Sequence, residues 1–235
     1  METRPIETLL ISLLLLALTA LSFLGTYLAT SFTRFYLGDY HTLAEVIIFT
    51  GIYILLSALT VKVLIMRSPL EVDIYGVATF TMTSDEAMYW KVLTSITMMG
   101  GMYFLPLIPL FIRPLFFKLF GAKIGDNVEV AGTLAELPLI TIEDYAFIGG
   151  NAFITAHTVT HNLVILKPVK ISKRVVIGVG AIILPGVEVG EGSIVAPGSV
   201  VSMDTVIPAY EFWSGVPAKR ERSLKVLRKS ALNKC

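Results

Sequence analysis

From Ile171 to Ile207 an aliphatic residue returns at every sixth position: Ile171, Ile177, Ile183, Val189, Val195, Val201 and Ile207. Four residues after each comes Val175, Ala181, Val187, Ser193, Ser199 or Thr205, with glycines clustered between. A period of six fits neither a helix nor an alternating strand. It is the pattern of a parallel β-helix, in which each hexad supplies one short strand and one corner. The aliphatic side chain points inward and stacks on its counterparts in neighbouring coils. The smaller residue sits near the corner, and glycine permits the tight turn. Such a core is buried only by stacking, so several coils are required.

The same phase begins earlier, at Ile124, Val130, Ile142, Ile148 and Ile154. Glu136 occupies the slot between Val130 and Ile142 and breaks the pattern, so Leu134 and the run Leu137 to Ile140 are expected to bulge outward. Ile154 and Ile171 are seventeen residues apart, not a multiple of six. The register therefore slips between Thr158 and Pro168, and a loop must leave the solenoid there. That loop, HTVTHNLVILKP, carries His157 and His161. Functional residues are often held on loops by a rigid scaffold.

The first half has a different pattern. Leu9 to Ala29 is apolar, with no charge between Glu7 and Arg34, and is long enough to span a bilayer. A cleaved signal peptide is the alternative. A second apolar run, Val46 to Val61, follows at once and extends to Met66 if Lys62 snorkels. Phe32, Tyr36 and Tyr40 between the runs suit an interfacial aromatic belt. His41 is expected at the surface. A third uncharged run, Val92 to Ile112, is interrupted by Gly100, Gly101, Pro106 and Pro109. Two spans with the N-terminus inside place Arg4, Lys62, Arg67, Lys91, Arg113, Lys118 and Lys123 in the cytoplasm and only Arg34 outside. The positive-inside bias thus favours two spans plus a re-entrant or interfacial segment. RPLFFKLF (Arg113 to Phe120) fits a segment at headgroup level, and an ordinary buried helix pair is the alternative. Val72 to Ser84 has strand-forming residues but no evident task.

Composition agrees with this division. Of 235 residues, 54% are hydrophobic and only 16% charged, against roughly 25% charged in soluble domains. The mean hydropathy is +0.74. A net charge of +1 says little about partners, and no nucleic-acid partner is expected. The single Cys235 excludes an intrachain disulfide framework. The expected organisation is a membrane anchor over 1–120, a β-helix over 121–217 and a basic tail or short C-terminal helix over 218–235. That tail holds Lys219, Arg220, Arg222, Lys225, Arg228, Lys229 and Lys234 against Glu221 alone, with Leu224 and Leu227 on one side. A basic end suits a phosphate-bearing ligand or anionic lipid.

Four elements in order carry a family resemblance: the AH loop, KPVKI, IGVGAIILPGVEVGEGSIVAPGSVVS and SGVPAK. Together they resemble the hexapeptide-repeat acyltransferases, over about the last 110 residues. LFGAKIGDNV looks like the entry of that family's membrane-attached members. ITIEDYAFIGGNAFITAH is similar to the acyltransferase-like regions at the C-terminal end of some peptide synthetases. The resemblance implies a left-handed parallel β-helix, a homotrimer with sites between subunits, and acyl transfer, usually of acetyl, from acetyl-CoA to a hydroxyl or amine. It implies no metal.

Matched residue by residue, the resemblance makes His157 the general base. A neutral imidazole near pH 7 takes the acceptor's proton as it attacks the thioester. His161 is a second catalytic candidate, placed to orient His157 or the acceptor, although related members often carry an acidic residue there. The coenzyme A contacts implied are Gly178, Gly180 and Ala181 beside the pantetheine arm, Ser199 and Val200 on the next coil, Trp213 or Pro217 on adenine, and Lys219 on phosphate. Corner glycines otherwise serve only the turn. Three readings therefore stand. The first is a membrane-anchored acyltransferase, multi-pass in the cytoplasmic membrane, with its catalytic domain in the cytoplasm and a membrane-associated acceptor. The second is a trimeric scaffold without catalysis. The third is a γ-type carbonic anhydrase-like enzyme, for which His157 and His161 would supply two of three histidine ligands.

Overall fold

The computed structural model describes residues 5–31, 36, 38–67, 77–100 and 102–224. The chain divides into two compact units: residues 1–69 with 83–106, and residues 70–82 with 107–235.

The first unit is helical. Helix α1 (Pro5–Ser31) and helix α2 (His41–Met66) pack along each other. Both are long and apolar enough to cross a membrane, over Leu9–Ser31 and His41–Met66. Many of their large side chains point away from the protein, among them Leu16, Phe23, Ile47 and Leu59. The hydroxyls of α1 are satisfied within the helix: Thr19, Ser22, Thr26 and Thr30 each donate to the carbonyl four residues back, at 2.8–2.9 Å.

The strand β1 (Ala78–Thr81) comes next in sequence but belongs to the second unit. Helix α3 (Asp85–Gly100) returns to the first. Ser84 Oγ caps it by accepting from the Ala87 N–H at 3.3 Å. Its last residue, Gly100, lies against Ser57 of α2, where an added Cβ would come within 2.3 Å of the Ser57 Cβ. The third apolar run is thus not one continuous helix: α3 stops at Gly100, and a short 3₁₀ turn containing Pro106 follows over Met102–Leu107.

The second unit is a parallel β-solenoid of the left-handed β-helix type. Helix α4 (Arg113–Leu119) packs on its first coil. Phe116, Phe117 and Phe120 are buried there, closing the apolar end of the stack, while Leu115 points outward. An open solenoid end exposes core and needs a cap, and three phenylalanines supply one.

Coil one comprises β2 (Lys123–Ile124), β3 (Glu129–Val130) and β4 (Thr133–Ala135). Coil two comprises β5 (Ile140–Ile142), β6 (Phe147–Ile148) and β7 (Phe153–Thr155). A hairpin of β8 (His157–Thr160) and β9 (Leu163–Leu166) then leaves the stack. Coil three is β10 (Val169–Ile171), β11 (Val176–Ile177) and β12 (Ile182–Ile183); coil four is β13 (Glu188–Val189), β14 (Ile194–Val195) and β15 (Val200–Val201). The last, partial coil is β16 (Val206–Ile207) and β17 (Glu211–Gly215), and β18 (Ala218–Ser223) folds back on β17.

Equivalent strands stack in parallel into three faces, ordered β16-β13-β10-β5-β2, β17-β14-β11-β6-β3 and β15-β12-β7-β4. The inward positions form three ladders: Ile142, Ile171, Val189, Ile207; Val130, Ile148, Ile177, Val195; and Leu134, Ile154, Ile183, Val201. Each of these twelve is at most 1% exposed. At one corner, ion pairs join successive coils: Lys173 Nζ lies 2.9 Å from Asp144 Oδ2, and Arg174 pairs with Glu191.

Two expectations change here. Leu134 does not bulge outward. It takes the inward slot of β4, two residues before the position the period assigns, and pairs with Ile154. Leu137 and Ile140 are buried as well. The irregularity is absorbed by Glu136, whose backbone is left-handed (φ 56, ψ 57), and by a 3₁₀ turn over Leu137–Leu139. The short C-terminal helix is replaced, over Ala218–Ser223, by strand β18. β17 would otherwise be an open edge, and β18 pairs with it. Leu224 is buried behind this hairpin, its N–H bonded to the Tyr210 carbonyl at 2.6 Å. Leu227 and the rest of the basic tail lie outside the described residues.

Candidate active site

The register slip lies where the sequence pattern puts it, and the excursion is a β-hairpin. Thr155 ends β7 inside the stack, Ala156 is fully buried, and His157 is the first residue to leave. The Lys167 N–H donates to the Ala156 carbonyl at 2.8 Å and closes the base of the hairpin.

Glu136, at the same corner one coil earlier, faces this point. Its left-handed backbone turns the side chain back along the stack, where it is 5% exposed. Oε1 lies 2.8 Å from His157 Nδ1. Oε2 accepts from Thr155 Oγ1 and from the Ala156 N–H, both at 3.3 Å. The Thr155 hydroxyl also stands 3.1 Å from His157 Nδ1 and accepts from the His157 N–H at 3.3 Å. The imidazole is therefore held through Nδ1, with Nε2 on the opposite edge of a side chain that is 30% exposed.

The electrostatics follow from this contact. The hydrogen bond to Glu136 raises the His157 pKa above its ordinary value; partial burial opposes the shift and the carboxylate charge adds to it. A proton on Nδ1 directed at the carboxylate fixes the tautomer in which Nε2 is basic. A buried carboxylate also stabilises the imidazolium that forms when Nε2 accepts a proton. An imidazole held in this way can accept a proton at Nε2.

His161 is placed elsewhere. It forms the exposed hairpin turn with Asn162, in a left-handed conformation (φ 53). With about 3.4 Å of rise per strand residue, it lies about 14 Å from His157, just past the end of β8. One chain does not bring the two histidines to a common ion. Among the described residues, no group of three His, Cys, Asp or Glu side chains is arranged to hold a metal.

The candidate coenzyme residues gather along a single corner. Gly178 precedes the turn between β11 and β12, and its packing demand comes from the next coil: an added Cβ would meet Pro197 N at 2.4 Å and Ala196 C at 2.7 Å. Gly180 is different. Its φ is +67, and nothing lies within 4 Å of an added Cβ. Ala181 is buried in the core. Ser199 is its counterpart on the coil above; its buried hydroxyl accepts from the Gly215 N–H at 3.2 Å and so tethers the last hairpin. Val200 starts β15 beside Ile182. Trp213, Pro217 and Lys219 share the β17–β18 hairpin. The indole N–H of Trp213 donates to Glu211 Oε2 at 2.9 Å, and Arg220 Nε lies 2.8 Å from the other oxygen. Pro217 is exposed in the turn, and Lys219 is exposed opposite Ser214. Within one chain, His157 and this corner lie at opposite edges of the β15-β12-β7-β4 face.

Residues 168–202 match the model of the bacterial transferase hexapeptide family (six repeats). The matched stretch is coils three and four of the solenoid. A delta-poly-L-ornithine synthetase of Acinetobacter baumannii is 28% identical over 107 residues, covering 45% of this chain and 8% of that protein. This chain thus spans less than a tenth of that relative's length. A hexapeptide-repeat acetyltransferase from Vibrio cholerae, solved with acetyl coenzyme A, is 29% identical over 45% of this chain and 61% of its own, with a TM-score of 0.41. A galactoside acetyltransferase solved with coenzyme A is 23% identical over 65% of this chain and 89% of its own, with a TM-score of 0.48.

Glu136 is the residue that sequence reasoning did not place in the site. Its signal was present: a carboxylate in an inward slot of a hydrophobic ladder. A charge in such a slot needs a partner, and here the partner is the histidine one coil later in the solenoid.

Proposed function

We propose that this protein is an acetyl-CoA-dependent acyltransferase in which His157 is the general base and Glu136 orients it. The observation that carries the reading is the 2.8 Å contact between His157 Nδ1 and the buried Glu136 carboxylate, at the point where the hexapeptide register breaks. Nε2 takes the proton of an acceptor hydroxyl or amine as its oxygen or nitrogen bonds to the thioester carbonyl carbon. The tetrahedral intermediate collapses with cleavage of the C–S bond. The departing thiolate recovers the proton from Nε2 and leaves as free coenzyme A. Backbone N–H groups serve the oxyanion.

The coenzyme lies along the corner of Gly178, Gly180, Ala181, Ser199 and Val200, toward Trp213, Pro217 and Lys219. That corner is a full face away from His157 in the same chain, which favours a site completed by a neighbouring copy in a homotrimer. The outward side chains support such packing. Beyond the first coil, where Glu129 and Thr133 stand, two faces present apolar rows, Phe147, Val176, Ile194, Phe212 and Phe153, Ile182, Val200, whereas the third presents Lys123, Thr141, Lys170, Glu188 and Val206. The two apolar helices anchor the protein in the cytoplasmic membrane with the hexapeptide-repeat domain on the cytoplasmic side, and the acceptor is membrane-associated. The support for these points is helix length, apolarity and the distribution of Lys and Arg.

The test uses purified full-length protein with labelled acetyl-CoA and a membrane-lipid extract. His157→Ala should fold, keep its oligomeric state and lose about 10²–10⁴-fold in transfer. Undiminished transfer by a folded His157→Ala protein removes the assignment. A wild-type protein that fails to bind acetyl-CoA at millimolar concentration favours the scaffold instead.

A further inference from the structure

The segment between α2 and α3 has no evident task in the sequence, yet its strand β1 is built into the hairpin that carries His157. Ala78, Thr79, Phe80 and Thr81 pair antiparallel with Leu166, Ile165, Val164 and Leu163, making a three-stranded sheet with β9 in the centre. The Met82 N–H extends the ladder to the Asn162 carbonyl in the hairpin turn, at 2.9 Å. Antiparallel pairs alternate between bonded and non-bonded positions. The bonded pairs are therefore Phe80 with Val164 and Ala78 with Leu166, and the Thr79 N–H points away from β9.

Directly opposed residues share a face of the sheet. Ala78 opposes Leu166, and Leu166 opposes His157, so these three form one row across the sheet. Phe80, Val164 and Val159 form the next row. Ala78, Phe80, Met82, Val164 and Leu166 are all buried. An isolated two-stranded hairpin is marginal in water, and a third strand with an apolar face changes that.

We propose that β1 is a strap that makes the hairpin rigid enough for transfer, with Ala78 and Phe80 as positioning residues acting through His157. This rests on His157 being the base. It means that the N-terminal half contributes more than an anchor: the chain leaving the second apolar helix supplies part of the support for the site.

The test uses full-length protein with labelled acetyl-CoA and a membrane-lipid extract, with hydrogen exchange followed over 157–166. Ala78→Pro removes a ladder bond in the His157 row. It should speed exchange in β9 and lower kcat at least about tenfold, as misplacements near 1 Å do, while KM for acetyl-CoA is unchanged. It should also move the acid limb of the pH–rate profile to lower pH, because the imidazole loosens from Glu136. Thr79→Pro stiffens the same strand without removing a ladder bond and should keep wild-type kcat. If Ala78→Pro does not fold, Phe80→Ala replaces it, with the same expected losses and rescue by Phe80→Leu. In a His157→Ala background neither substitution should cost anything more. Faster exchange in β9 with wild-type kcat and an unmoved acid limb overturns the strap. An active His157→Ala protein overturns the base assignment instead, so the two failures are distinct.

Discussion

Replacing Glu136 with Gln keeps the size of the side chain and an oxygen that can still accept from His157 Nδ1, but removes the charge. In the structure that charge is almost fully buried, while the imidazole is 30% exposed, so the pair is only partly screened. Hydrogen bonds to charged groups contribute about 1.5–3 kcal/mol and neutral ones about 0.5–1.5. The charge itself is thus worth about 1–1.5 kcal/mol to the imidazolium that forms as the acceptor is deprotonated. With a factor of ten for about 1.4 kcal/mol, kcat should fall about 5- to 12-fold, toward the lower figure because water reaches one side of the ring. The pH profile gives the sharper assay. A base must be neutral, so activity rises with pH through the His157 pKa, which Glu136 holds above the ordinary value. Glu136→Gln should therefore move the acid limb to lower pH while lowering the plateau. The same linkage has the opposite sign for stability. A raised histidine pKa stabilises the fold below the unfolded pKa, and that contribution is lost as pH rises through the folded one. The wild-type advantage over Glu136→Gln in melting temperature should then shrink toward alkaline pH. A Gln variant with the wild-type acid limb and plateau would refute the dyad.

Other expectations follow from packing in the solenoid. Gly178→Ala pushes a Cβ into the backbone of Pro197 and Ala196, and should cost more than the usual overpacking penalty of about 1–3 kcal/mol. Gly180→Ala meets no atom and strains only its left-handed backbone, for about 1–2 kcal/mol. Denaturant titration should therefore rank Gly178→Ala well below Gly180→Ala, and the reverse order contradicts the coil-stacking account. Ile177→Ala empties a fully buried slot between Ile148 and Val195, and should lower stability by about 2–5 kcal/mol without moving the acid limb of activity.

The N-terminal helices and the solenoid differ in what can be measured first. The proposed cytoplasmic orientation, argued from the positive-inside bias, is tested by protease protection of the solenoid in sealed vesicles. The apolar rows on two faces of the solenoid bear on self-association, which sedimentation in detergent addresses.

The amino-acid sequence by itself determined the solenoid, because a stacked coil repeats one local requirement: an aliphatic residue inward at every sixth position. Ile171 through Ile207 needed nothing else. It also placed His157, because a register slip must eject a loop, and it marked two apolar helices, because bilayer length is a local property. Only the tertiary structure decided how the irregular places were resolved. Leu134 enters the core early, because the left-handed Glu136 corner and its 3₁₀ turn take up the offset. Glu136 itself, an apparent defect in the ladder, becomes the partner of a histidine twenty-one residues later; the local pattern marks a charge in need of a partner, and only coil stacking decides which residue that is. β1 joins β9 across more than eighty residues of chain, and no periodicity encodes which edge a lone strand will cover. Repetition is legible one residue at a time; pairing between distant segments is settled only when the chain has folded.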